Sequence, residues 1–208
     1  MYILEIKQTG TAKNKYKVCL EGGADFVLYK GELSKLHLEA GQDLPEELYE
    51  QILKEIQIPR AKKRAMHLLE KMDRTEQQLK TKLREAGYAS EAIEEAISYV
   101  KSYHYIDDER YARTYIRIHQ QSKSKQRLKM DLLKKGIDKE VIEIALEDEF
   151  EQSEEEMILQ LLKKKHYDPA TADQKERNKM YRFLMQRGFR SSDISHVIGQ
   201  LESYGEEY

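Results

Sequence analysis

Apolar and polar positions along this chain recur in a phrase written three times. Leu83-Arg-Glu-Ala-Gly87-Tyr88, Leu132-Leu-Lys-Lys-Gly136-Ile137 and Leu184-Met-Gln-Arg-Gly188-Phe189 share a Leu-x-x-x-Gly-apolar core. Eight residues before each glycine stands Leu79, Leu128 or Met180; six and ten residues after it stand Ile93 and Ile97, Ile142 and Leu146, Ile194 and Ile198. The glycines lie 49 and 52 residues apart, a period that signals stacked supersecondary units. Apolar residues four apart share one helical face, and a glycine just past the last of them closes the helix in the left-handed conformation. A third apolar stripe precedes each pair: Ala65, Leu68 and Leu69; Tyr111, Tyr115 and Ile118; Ile158, Leu161 and Leu162. Each unit therefore reads as three helices with a glycine turn before the last. Helices this short rarely persist alone, so they must pack on one another.

Start signals agree with that division. Thr75-Glu-Gln-Gln78 has the form of a capping box, Asp138 and Ser191 are expected caps after the second and third glycines, and Asp107-Asp108-Glu109 places acids at the positive end of the helix dipole. Gly87, Gly136 and Gly188 are read as turn-makers rather than as a site.

The first 58 residues follow a period of two instead. Tyr2, Leu4 and Ile6 alternate, as do Tyr16, Val18 and Leu20, then Phe26 and Leu28, with Gly22-Gly23 between the last two runs. This pattern predicts a small antiparallel meander, with Leu36 and Leu38 adding a strand. Pro45 is expected at the first position of a helix striped by Leu48, Ile52 and Ile56, which Ile58-Pro59 closes. The predicted fold is mainly α: an elongated array of three tandem three-helix repeats behind a small β-meander and helix. The boundaries are 1–58 for the extension, then 60–108, 109–152 and 153–208 for the repeats.

Composition fits much surface per unit of core: 36% of residues are charged, against about 25% in typical domains. The single cysteine, Cys19, reads as a buried thiol in a reducing compartment. Met1-Tyr-Ile-Leu-Glu lacks the basic start of a leader, and no apolar run approaches the ~18 residues of a membrane span. A cytoplasmic protein with no membrane contact is expected.

The net charge of -2 hides strong blocks. Arg60 to Arg84 holds 9 basic and 3 acidic residues, Arg110 to Lys139 holds 10 and 2, and Lys163 to Arg190 holds 9 and 3, while Glu147 to Glu156 has seven acids. Three basic blocks on three units predict a shared positive surface for phosphates or an acidic protein groove. Nucleic-acid binding by such a surface is sequence-tolerant and weakens steeply with salt. The residues after the glycines include acids and few base-reading side chains, against a major-groove reader. Tyr99, Tyr103, Tyr105, Tyr111 and Tyr115 are expected to pack at the join of the first and second units rather than to stack on bases. The six histidines show no paired metal spacing, and no nucleotide loop or nucleophile elbow is present. The sequence offers no catalytic residue, no metal site and no cofactor.

Tyr105-Ile-Asp-Asp-Glu-Arg-Tyr-Ala112 resembles the aspartate-pair motif of the RecX family of bacterial recombination regulators. Arg74-Thr-Glu-Gln-Gln-Leu79 with Lys82-Leu-Arg-Glu-Ala-Gly87 is similar to that family's first repeat, Lys134-Lys-Gly-Ile-Asp138 with Ala145-Leu146 to the second, and Arg182-Phe-Leu-Met-Gln-Arg-Gly-Phe189 to the third. Leu38-Glu-Ala-Gly41 into Leu44-Pro-Glu-Glu-Leu48 is similar to the extension of longer members, whereas Ser122-Lys-Ser-Lys-Gln-Arg127 departs from a family glycine before the middle helix. The resemblance implies a non-enzymatic regulator that binds the groove of the RecA filament on single-stranded DNA and inhibits ATP hydrolysis and strand exchange; a monomer is expected, with non-specific contact to double-stranded DNA also open. It implies binding through Arg74, Lys80, Lys82, Arg84, Arg113, Arg117, Lys123, Lys125, Arg127, Lys129, Arg182 and Arg187, with Asp107, Asp108, Arg110 and Tyr111 at repeat junctions. A free-standing sequence-nonspecific DNA binder and a generic helical-repeat adaptor are the alternatives.

Overall fold

The computed structural model describes residues 1–9, 14–168 and 171–205. Contacts divide the chain into two compact units, Met1–Asp107 and Asp108–Tyr208.

In the first unit β1 (Ile3–Gln8), β2 (Lys15–Leu20) and β3 (Phe26–Tyr29) form an antiparallel sheet in the order β1-β2-β3. The expected meander is present, but the phase of β1 is different. Ile3 is fully buried while Leu4 is 56% exposed, because the β1–β2 register shifts between Ile3 and Glu5. A bulge adds one residue to one strand and so re-aims the side chains beyond it. Cys19 is buried. The strand expected at Leu36 and Leu38 is instead the end of α1 (Lys30–Leu36), which His37 closes at φ 52.

Pro45 is the N-cap of α2 (Glu46–Ile52) rather than its first helical residue. The helix does not stop at Ile58-Pro59, because a π-helical segment, Leu53–Gln57, joins α2 directly to α3 (Ile58–Leu69). Ile58 N–H reaches back to Leu53 O, and this wider turn accommodates a proline that has no N–H of its own to donate. Then α4 (Glu76–Glu85) and α5 (Ser90–Ser102) complete the first three-helix repeat. One continuous hydrophobic core runs from Ile3 through Phe26, Ile52 and Leu79 to Ile106. The sheet is thus part of the first repeat's core. Buried Gln57 ties the two together, its Nε2 donating to Val27 O at 2.7 Å, and Lys15 Nζ donates to Ala86 O at 2.8 Å.

The second unit holds the other two repeats: α6 (Asp108–His119), α7 (Lys125–Lys134) and α8 (Lys139–Glu149), then α9 (Glu154–Lys164), α10 (Gln174–Gln186) and α11 (Ser191–Gly205). Leu128, Leu132, Ile142 and Leu146 fill one core; Met157, Ile158, Met180, Leu184 and Phe189 fill the next. Phe150 packs against both. The inner face of α6 is carried by buried Ala112 and Ile116, with Tyr111 and Tyr115 at its edge. Ile118 is 67% exposed, contrary to expectation, since it lies off the stripe that Ala112 and Ile116 define.

The caps follow the sequence closely. Thr75 and Gln78 form the reciprocal capping box, and Asp138 accepts from Glu140 N–H. Ser191 is the first residue of α11 rather than its cap; its hydroxyl pairs with that of Tyr181. All three glycine turns have the same hydrogen bonds. Gly87, Gly136 and Gly188 lie at φ 85, 81 and 86. Their N–H groups and those of the next residues return to the carbonyls of Arg84 and Leu83, of Leu133 and Leu132, and of Met185 and Leu184. That double return is the Schellman motif, which requires a left-handed residue.

Candidate nucleic-acid interface

The structure separates cations that are already spent on carboxylates from those that are not. In the first repeat Lys80 lies between Glu76 and Glu94, and Lys82 meets Glu85. Arg74 Nε caps the end of α3 through Leu68 O, and Arg84 is exposed on α4. In the second repeat Arg113 meets Glu109, Asp148 and Glu149, and Arg117 grips Glu149 with two nitrogens at 2.5 and 2.6 Å. Lys129 pairs with Glu143. These contacts hold the guanidinium of Arg113 well above its ordinary pKa, Glu109 being the largest cause, and draw the Glu149 carboxyl down, chiefly through Arg117. Asp148 and Glu149 thus neutralise α6 locally.

Asp131 on α7 serves two cations at once, Lys123 at 2.8 Å and Arg127 at 3.1 Å. Burial opposes its ionisation, but Lys123 and Arg127 outweigh it and its carboxyl lies below the usual range. Tyr115 completes the group, its hydroxyl accepting from Lys123 and donating to Asp131. The Tyr115 ring stacks on Tyr111 with planes 12° apart and tilts against His119. Burial, with Lys123 second, pushes the His119 pKa down. These aromatic residues belong to the second repeat's own framework. Tyr103 and Tyr105, by contrast, are 59% and 46% exposed and stack on each other, so the expectation that they are packed away is corrected. Asp107 closes the first unit and Asp108 opens the second, with Arg110 and Tyr111 in the first turn of α6.

Charge without a carboxylate partner gathers on α10. Lys175, Lys179, Arg182 and Gln186 follow one another at helical spacing along one face, and with Phe183 they line a shallow groove. Among the described residues none of the three cations meets an acid; Arg182 Nε donates to Asn178 O. Phe183 is covered by Arg187, whose guanidinium lies 3.7 Å from the ring centre, and by Lys165 at 5.3 Å. Gln186 also lines an adjoining cleft of about 500 Å³ with Ser122, Lys123, Arg127 and Arg187. Sequence reasoning picked Arg182 and Arg187 but missed Lys175 and Lys179. Their i, i+4 spacing, set beside Arg182 at i+7, was the available signal. Lys125 is exposed at the start of α7, with its backbone N–H held by Glu154 at 2.9 Å.

Among the described residues no group of histidine, cysteine, aspartate and glutamate is arranged to hold a metal ion, and no helix is long and apolar enough to cross a membrane. Fold and surface together define the class: a tandem three-helix-repeat protein with a basic face on its last repeats. The first, second and third three-helix domains of RecX match residues 61–99, 107–146 and 153–198. The chain is 33% identical over 187 residues to the regulatory protein RecX of Caldanaerobacter subterraneus subsp. tengcongensis, covering 89% of this chain and 92% of that one. It is 27% identical over 189 residues to that of Clostridium beijerinckii, covering 89% of each. The chain belongs to the RecX family of regulatory proteins. The crystal structure of RecX from Lactobacillus salivarius superposes with a TM-score of 0.56 at 27% identity, over 70% of this chain and 97% of that one. A second RecX crystal structure, 24% identical, shares the fold over 94% of this chain and 98% of its own, with a TM-score of 0.56.

Proposed function

We propose that this protein is a non-enzymatic, cytoplasmic regulator of the RecA recombinase, acting as a monomer in the groove of the RecA filament on single-stranded DNA and lowering ATP hydrolysis and strand exchange. Membership of the RecX family supports the partner. The observation that carries the surface is the row of Lys175, Lys179 and Arg182, cations that meet no carboxylate among the described residues. A guanidinium or ammonium already paired with a carboxylate offers a phosphate less net charge and fewer free donors than an unpaired one. On the second unit the contact residues are therefore read as Lys125, Arg182 and Arg187 with Lys175 and Lys179 added, together with Lys123 and Arg127, which share the one carboxylate of Asp131; on the first unit they are read as Arg74 and Arg84. Arg113, Arg117, Lys80 and Lys129 are assigned mainly to holding helices together.

The test is RecA ATPase on single-stranded DNA with this protein added below stoichiometry. A fall in hydrolysis supports the reading; unchanged hydrolysis at excess protein sinks it. Binding to a preformed filament compared with bare DNA separates the alternatives. Filament preference is expected, equal affinity identifies a simple DNA binder, and affinity for neither identifies an adaptor.

A further inference from the structure

Arg187 caps α10 in an unusual setting. Its carbonyl accepts the Ser124 N–H at 3.0 Å, and its guanidinium lies flat on Phe183 with one terminal nitrogen 3.4 Å from Phe183 O. Its Nε is buried, and among the described residues it has no hydrogen-bond partner and no carboxylate reaches it. Burial pushes its pKa below the ordinary range. A buried N–H of a cation left unpaired is costly, and a structure retains such a group where an anion from outside completes it. Across the cleft stand Lys123 and Arg127, which share the single carboxylate of Asp131. Three cations against one acid leave two net positive charges around a space of about 500 Å³. Gln186, which also lines the cleft, can donate through its amide, while the Ser122 hydroxyl already donates to His119 O at 3.2 Å. Glu154 already accepts from the first N–H of α7, so side chains rather than the helix end must hold the ligand.

We propose that this cleft between the second and third repeats is a phosphate site that takes a backbone phosphodiester of single-stranded nucleic acid, with Arg187 as anchor and Arg127 and Lys123 as its partners. The reading rests on the nucleic-acid half of the function proposed above. A polymer is favoured over a free phosphate because Gln186 lines both the cleft and the α10 groove, so a strand entering the cleft continues onto Arg182, Lys179 and Lys175. A phosphate held there bridges α7 to α10 beside the Ser124–Arg187 hydrogen bond, and the ligand tightens that junction.

A labelled oligothymidylate titrated into the full chain across a salt series tests this, read by anisotropy, with pyrophosphate as a second probe. Arg187→Gln is expected to weaken oligonucleotide binding about tenfold and to flatten the dependence of log affinity on log salt by about 0.7. Asp131→Asn, which frees Lys123 and Arg127, is expected to strengthen it, and Lys7→Gln on β1 to leave it unchanged. Hydrogen exchange at Ser124 should slow on binding. Arg187→Lys, which keeps the charge but loses the planar fork, provides the test if Arg187→Gln fails to fold, and is expected to weaken binding. Wild-type affinity and salt slope in a folded Arg187 variant would overturn the proposal. So would Arg187-dependent binding of pyrophosphate with Arg187-independent binding of the oligonucleotide. Arg187-dependent oligonucleotide binding with no effect on RecA would instead sink the regulator reading and leave the cleft standing.

Discussion

Gly188 approaches Ser124 so closely that a β-carbon on the glycine would stand 2.7 Å from the serine hydroxyl oxygen, and equally close to Arg127 Cβ. Ser124 is the fully buried N-cap of α7, accepting from Arg127 N–H, so the turn of the third repeat rests on the helix start of the second. Gly87 makes the equivalent approach to the sheet, where its β-carbon would stand 2.3 Å from Val27 Cγ2. Gly22 and Gly23 also have positive φ but nothing within 4 Å. Alanine at Gly22 or Gly23 is expected to cost only the left-handed strain, about 1 kcal/mol. Alanine at Gly87 or Gly188 should cost about 1 to 3 kcal/mol more, because packed neighbours must also shift. Urea unfolding of the four variants measures the difference, and equal costs would refute the docking role.

Three of the six histidines occupy the same kind of turn. His37, His104 and His166 lie at φ 52, 55 and 52, and each repeats the double return seen at the glycines: His104 N–H to Lys101 O with Tyr105 N–H to Val100 O, His166 N–H to Lys163 O with Tyr167 N–H to Leu162 O. They end helices as the glycines do, but with a side chain strained by the left-handed backbone. His104→Gly and His166→Gly are each expected to stabilise the protein by about 0.5 to 1 kcal/mol. A lower melting temperature for either would count against this reading.

Asp131 holds the start and middle of α7 to the Lys123 loop. Its carboxyl is lowered in the folded state, so its contribution is present above the unfolded pKa near 3.8 and is lost as pH falls through the folded value. Asp131→Asn is expected to cost about 2 kcal/mol at neutral pH, since it leaves half-buried Lys123 without its counter-charge. The gap between wild type and variant should stay constant above about pH 5 and close below about pH 4. Denaturant midpoints across that range check it, and a gap that persists in acid would contradict the assignment.

Paired and unpaired cations should part company in binding. Lys80→Gln removes a cation already shared by Glu76 and Glu94, whereas Lys179→Gln removes one with no carboxylate near it among the described residues. The second substitution is expected to weaken binding to single-stranded DNA or to the filament by about threefold to tenfold and to reduce the salt slope by about 0.7. The first should leave both nearly unchanged. Anisotropy in a salt series distinguishes them; equal losses would show that pairing does not select the surface.

The sequence by itself determined what is local and periodic. Leu79 and Leu83, Leu128 and Leu132, and Met180 and Leu184 are buried at four-residue spacing ahead of left-handed glycines, because helical periodicity and the need for a residue free of steric strain are written in neighbouring letters. Tertiary structure decided what depends on partners distant in the chain. It turned the stretch after β3 into a helix, carried the helix through Pro59 on a π turn, and fused the sheet to the first repeat through Gln57 and Gly87. It also decided which basic residues remain available. Arg113 and Arg117 look as free as Arg182 when read along the chain, yet Glu149 on another helix neutralises them. A charge pattern counts cations, and only the fold brings each one to its acid or leaves it without one.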